Sequence, residues 1–214
     1  MMTSGNDTAG AGNPPMMIDP TAILFSMPTL ANDTAPLEPV ERLAPSDLVF
    51  HEDEWRQAEY FQRARLDELK HKLAELKAFV EAHRQGAGWR DIYMRELSPE
   101  AVIVGPTALV ELAGKLGVAA NPGPVLFTGV KSLVGRAAGG FSLPVGGDVS
   151  LYGLSGDAGV SILGSHVAGA DDDGILVKPF AALSAGFELV LVDWRSQMIL
   201  IGVNEHGRID VWKP

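Results

Sequence analysis

Between residues 105 and 174 the chain carries 16 glycines in 70 positions. Each glycine inside a helix costs roughly 0.5–1 kcal/mol relative to alanine, so this stretch cannot be built from packed helices. Most of it must be short strands joined by tight turns. A weak internal repeat supports that reading: Phe141-Ser-Leu143, Val149-Ser-Leu151 and Val160-Ser-Ile162. Each copy places two apolar residues on one face of a strand and a serine on the other. The fuller copies, Val149–Gly153 and Val160–Gly164, have the spacing of neighbouring antiparallel strands. Before them, Ala101 to Val104 reads as a buried strand. Pro106 to Leu116 reads as a short helix closed by Gly117. After them, Phe187 to Trp194, Met198 to Val203 and Arg208 to Trp212 read as three strands joined by hairpin-length links. The runs at 189–192 and 199–201 are apolar at every position, which suits strands covered on both faces. Asp171-Asp172-Asp173-Gly174 reads as an acidic hairpin tip.

The preceding segment is of opposite character. From Glu52 to Gln85 there is no glycine or proline. Glu52, Asp53 and Glu54 suit the positive end of a helix dipole, His83 and Arg84 suit the negative end, and Gly86 can supply the left-handed residue beyond it. These signals predict one helix of about 34 residues, about 50 Å long. Leu66, Leu69, Leu73, Leu76 and Val80 form an a/d seam at spacings of 3 and 4. Such a seam fits a coiled coil between copies or a helix lying across its own domain. The length of the predicted helix beside a modest β domain tips the expectation toward self-association. Residues Trp89 to Leu97 are expected to form a short helical turn.

The first 45 residues hold half of the 14 prolines. Proline fixes φ, lacks an N–H and keeps the residue before it out of the helical region, so an extended segment follows. It also carries Met16, Met17, Ile18, Ile23, Leu24 and Phe25, apolar residues in which a solvated linker is poor. The segment therefore reads either as a loose terminus or as an arm that packs on a partner.

Together these give an α+β chain: an extended N-terminal arm over 1–50, one long α-helix over 51–86 with coiled-coil character, and a predominantly antiparallel β domain with one short helix over 87–214. Charge divides along the same lines. The whole carries 27 acids against 17 bases, a net −10. Nucleic acid and anionic membranes both demand a concentrated basic face, so neither is expected as a partner. The absence of cysteine excludes a disulfide scaffold, a thiolate metal site and a cysteine nucleophile. No stretch has the roughly 20 apolar residues of a membrane span, and the start lacks the basic region of a secretory signal. A soluble protein, cytoplasmic or virion-associated, is expected.

Candidate chemistry is thin. Ser155, Asp157 and His166 supply triad residue types, but Gly153-Leu-Ser-Gly156 is not the strand-to-helix nucleophile elbow. Thr128 to Ser132 lacks the glycine–lysine adjacency of a phosphate loop. Glu68 and His71 have the spacing of a bundle metal motif without the further ligands such a site needs. Asp171, Asp172 and Asp173 could contribute to a calcium site, although consecutive side chains alternate in direction. Glu188 and Asp193 could form a glycosidase pair. Trp194, Trp212 and Tyr152 could offer stacking surfaces to a glycan. The expectation is therefore no catalytic site, no cofactor and no metal. Function should lie in protein contacts, through the arm (Met16, Met17, Ile18, Ile23, Leu24, Phe25) and the seam (Leu66, Leu69, Leu73, Leu76, Val80). The partners expected are itself, as a homo-oligomer, and other protein subunits. A component of a larger assembly, such as a virion decoration, baseplate or fibre-attachment protein, is the leading reading. A glycan- or ligand-binding module is the alternative, and a hydrolase is less favoured.

Overall fold

The computed structural model describes residues 24–33, 35–96, 100–129, 132–169 and 176–214. It begins with three short strands, β1 (Thr29–Ala31), β2 (Leu37–Glu38) and β3 (Val49–His51). His51 caps a 3-10 turn over Glu52–Glu54, its Nδ1 accepting from the Asp53 N–H at 3.2 Å. The long helix predicted from Glu52 does not start here. The chain turns at Trp55 and Arg56, the latter at φ 59, and Ala58–Gln62 forms strand β4. Burial on two sides is the reason. Glu59, Tyr60 and Phe61 are consecutive and at most 2% exposed, which a strand inside a covered sheet permits and a surface helix does not.

A 3-10 turn at Arg63–Arg65 leads into α1 (Leu66–His83), 18 residues long. Gly86 is left-handed, at φ 58, but it turns the hairpin of β5 (Arg84–Gln85) and β6 (Gly88–Trp89) instead of closing the helix. In place of the helical turn expected near Trp89, β7 (Tyr93–Arg95) pairs in parallel with β1. Next come β8 (Ile103–Val104) and α2 (Ala108–Leu116), which Gly117 closes at φ 70 as the sequence indicates. The strands β9 (Asn121–Pro122), β10 (Val125–Thr128), β11 (Ser132–Ala137), β12 (Gly140–Gly146), β13 (Val149–Gly156) and β14 (Gly159–Val167) follow. A further helix, α3 (Val177–Phe187), lies where no helix was expected. The chain ends with β15 (Leu189–Asp193), β16 (Met198–Val203) and β17 (Ile209–Trp212).

The fold is mixed α and β, with mostly antiparallel sheets and three helices among the described residues. Its frame is a nine-stranded sheet in the order β17-β16-β15-β4-β14-β13-β12-β9, with β8 pairing β14. A four-stranded sheet, β2-β11-β10-β3, stands against it. Alternation along the strands divides the core. Tyr60, Leu151, Leu163, Leu189, Leu191 and Leu200 point to one face and pack with Ala108 and Leu112 of α2 and Phe180 and Leu183 of α3. The opposite face has two covers. Phe61, Val190, Val192 and Ile199 meet α1, whereas Tyr152 and Ile162 meet Phe50 and Leu126 of the four-stranded sheet. The unbroken apolar run at 189–192 thus reflects a strand buried on both sides, as the sequence implied.

The helix seam finds its partner within the chain. Leu69, Leu73 and Leu76 are fully buried, Val80 is 8% exposed and Leu66 is partly buried, all packed on β4, β15 and β16. That sheet face occupies the stripe that a second copy would need. The shortening of the helix removes the argument for self-association through it, since 18 residues are covered by the strands beneath. Because β4 sits between β15 and β14, residues 51–86 contribute a central strand to the sheet of residues 87–214.

Two glycines of the repeat are required where they stand. A Cβ on Gly164 would lie 2.6 Å from the Tyr152 ring, and one on Gly153 would lie 1.8 Å from the Ile162 carbonyl oxygen. The repeat therefore pairs an aromatic residue with a bare backbone opposite it, Tyr152 against Gly164.

Candidate functional site

On the doubly covered face, a line of polar residues fills the space between α1 and the four-stranded sheet. Arg56, Gln57, Glu59 and Arg95 are each at most 5% exposed. Glu59 Oε1 accepts from Arg56 Nε at 2.9 Å and from a terminal nitrogen at 2.6 Å. The same guanidinium pairs with Asp33. Arg95 donates to Thr29 Oγ1 at 3.0 Å and to the Arg56 carbonyl at 2.8 Å, and its guanidinium lies 5.0 Å from the Trp194 ring centre. Two cations thus face two anions.

Burial works against the charge on Arg56, and Glu59 and Asp33 more than restore it, so its pKa is held above the ordinary value. Burial pulls Arg95 down to about 10, against the pull of Glu59. Burial pushes the Glu59 carboxyl up, opposed by Arg56 and Arg95.

This cluster fastens the N-terminal segment. Gln57 Nε2 donates to the Thr29 carbonyl at 3.0 Å, Thr29 Oγ1 donates to the Tyr93 carbonyl at 2.8 Å, and Thr29 is fully buried. Further out, Phe25 and Trp89 exchange two backbone hydrogen bonds, of 2.9 and 3.1 Å. Of the predicted arm residues, Leu24 and Phe25 are 36% and 41% exposed. Met16, Met17, Ile18 and Ile23 lie outside the described residues.

Beside the cluster the nine-stranded sheet opens. β14 and β4 are in register at Gly164 and Glu59, which sets Ser165 opposite Ala58, the first residue of β4. β14 continues to Val167, beyond the point where β4 begins. The gap is a cleft of about 480 Å³, lined by Glu54, Gln57, Ser165, His166, Asp193 and Arg195 among others. Arg195 pairs with Glu54 at 2.7 Å and also donates to Met27 Sδ at 2.9 Å. Asp193 Oδ1 accepts from the Ser196 N–H at 2.8 Å. Gln57 and Ser165 are 5% and 7% exposed, and Gln57 Oε1 and Ser165 Oγ have no hydrogen-bond partner among the described residues.

His166 stacks on Phe50, with ring centres 4.9 Å apart. Burial holds its pKa below the ordinary histidine value, against a weaker opposite pull from Glu54. The unfolded chain therefore takes up a proton before the folded one does. The stabilising effect is fully present above a pH of about 6.5 and is lost as pH falls from there through the folded-state pKa. Urea midpoints at pH 7.5 and 5.5 should draw together in His166→Gln relative to the unmodified protein. An identical pH response in both proteins would remove this assignment.

The sequence candidates do not assemble into a catalytic centre. Ser155 is paired with Val160 and His166 with Ser150, at opposite ends of the β13–β14 hairpin. Glu188 and Asp193 are separated by the length of β15, about 16 Å along an extended strand. A glycosidase pair needs no more than about 9.5 Å. Thr128 and Ser132 pair across the β10–β11 hairpin. Glu68 is bound by Arg65 at 2.9 Å, and exposed His71 meets Glu75 at 3.2 Å on the surface of α1. Trp194 is 1% exposed and Tyr152 fully buried, so neither can stack on a glycan. Asp171, Asp172 and Asp173 lie outside the described residues. Among the described residues no group of three or more histidines and acids could hold a metal ion. None of their helices is long and apolar enough to cross a membrane.

The buried cluster was missed because Arg56, Glu59 and Arg95 lie in a stretch where acids and bases balance, which reads as a solvated face. The available signal was Glu59 beside Tyr60 and Phe61, a charge next to two aromatics. The chain matches no family model, curated protein or solved structure with which it was compared.

Proposed function

We propose that the protein is a non-enzymatic interaction protein, acting as a homo-oligomer or as a subunit of a larger assembly. The observation that carries this reading is the fastening of residues 24–33. A cluster of four charged groups, three of them buried, a parallel strand pair and the Phe25–Trp89 bridge hold a segment that adds little to the main core. Such fixing is useful where the chain preceding Leu24 must leave from a defined point. The apolar residues Met16, Met17, Ile18 and Ile23 belong to that preceding stretch. A virion-type decoration, baseplate or fibre-attachment protein is one setting in which an arm docks on neighbours while a β domain faces outward.

The test is mass in solution with and without residues 1–23. The full chain should run above its monomer mass of 22.7 kDa, or bind its assembly partner, and the shortened chain should be monomeric and folded. Equal masses for the two, with no partner lost on truncation, would overturn the proposal.

A further inference from the structure

The polar side chains lining the cleft between β14 and β15 leave several acceptors without donors among the described residues. Asp193 has no basic partner among the described residues, and one of its oxygens is taken by the Ser196 N–H. Glu54 shares Arg195, the only arginine or lysine among the described lining residues, with the Met27 sulfur. Gln57 turns its amide nitrogen to the carbonyls of Thr29 and Asp53, at 3.0 and 2.9 Å, which leaves its oxygen without a donor. Ser165 Oγ is likewise without a partner among the described residues. Such buried oxygens are costly when unsatisfied, so a molecule entering here is favoured if it donates. The walls carry two carboxylates against one guanidinium, on a chain of net charge −10.

We propose that this cleft binds a guanidinium group, that of an arginine side chain. A guanidinium offers five N–H donors in one plane and stays charged at all relevant pH values, so it can serve several acceptors on separate walls at once. The Asp193 carboxylate supplies the charge partner. Glu54, Gln57 and Ser165 supply further acceptors. The flank of β14 beyond Ser165, which β4 does not cover, offers backbone groups to the chain on either side of the arginine. The proposal rests neither on residues 1–23 nor on the oligomeric state, so its test neither supports nor removes the reading above.

The experiment titrates the full-length protein with L-arginine, with the capped peptide acetyl-Gly-Arg-Gly-amide, and with the same peptide carrying citrulline, followed by calorimetry and amide NMR shifts. Saturable binding of an arginine compound, with shifts at Gln57 and Ser165–Val167, is expected. A tighter peptide points to a partner chain and a tighter amino acid to a free ligand; both support the site. Citrulline, isosteric but neutral, should bind at least tenfold more weakly. In Asp193→Asn, which keeps an acceptor for the Ser196 N–H, affinity should fall by about tenfold to a hundredfold. No saturable binding of either arginine compound, citrulline binding equal to arginine, or an unchanged affinity in Asp193→Asn would each overturn the proposal.

Discussion

Replacing Glu59 by alanine is expected to lower the free energy of unfolding by about 3–5 kcal/mol, the range for removing one partner of a buried ion pair. The carboxylate is 1% exposed and takes two hydrogen bonds from Arg56. Without it, Arg56 keeps only Asp33, whose side chain is 55% exposed, and Arg95 loses the anion that opposes its desolvation. The comparison variant is Glu68→Ala, which breaks the Arg65 pair on the surface of α1. There the partner carboxylate is 44% exposed, and the loss should stay below about 1 kcal/mol. Urea unfolding of the two variants beside the unmodified protein measures the difference. A Glu59→Ala cost as small as that of Glu68→Ala would show that the cluster does not hold residues 24–33 in place. The double replacement Arg56→Met with Glu59→Leu should recover part of the loss, because Arg56 is then no longer buried without its main anion, and the remainder is the cost to Arg95 of losing Glu59.

The second large effect is steric. Gly153→Ala should destabilise by about 3 kcal/mol or more, at the upper end of what overpacking costs. Its new methyl carbon would lie 1.8 Å from the Ile162 carbonyl oxygen and 2.8 Å from the carbonyl carbon. Backbone cannot rotate aside as a side chain can, so the β13–β14 ladder must separate at this pair. Gly156→Ala, at the end of the same strand, would meet nothing within 4 Å and should be nearly neutral. Thermal midpoints of the two variants test the contrast. Equal midpoints would mean that the hairpin yields at Gly153 without loss.

The regions legible in the sequence were those where local pattern and tertiary environment agree. Glycine spacing and the serine repeat marked β12, β13 and β14, and Gly117 marked the end of α2. The apolar run at 189–192 revealed a strand covered on both faces. What misled was the stretch before Leu66. The acids at 52–54 and the lack of glycine and proline suit a helix start, and the first turn they occupy is helical. Ala58–Gln62 becomes a strand because Leu189–Asp193 lies alongside it, a partner more than a hundred residues away that no local window contains. α3 was obscured differently. Its Pro179 falls in the first turn, where a missing N–H costs nothing, and Leu183 and Phe180 provide too short a stripe to register. The cleft residues come from the turn before β4, the end of β14 and the turn after β15, so sequence order could not bring them together.

The position of β4 bears on how the chain is made. It is among the first segments of the sheet to leave the ribosome, yet its neighbours β14 and β15 are among the last. Until residues near 190 emerge, Tyr60 and Phe61 have no sheet to enter, and the Leu69–Leu76 stripe of α1 has no floor. Closure of the sheet therefore waits until Leu189–Asp193 has been made, a non-local event of the sort that slows folding. A nascent chain of this type carries the Leu69–Leu76 stripe uncovered over the whole interval between the synthesis of α1 and that of β15.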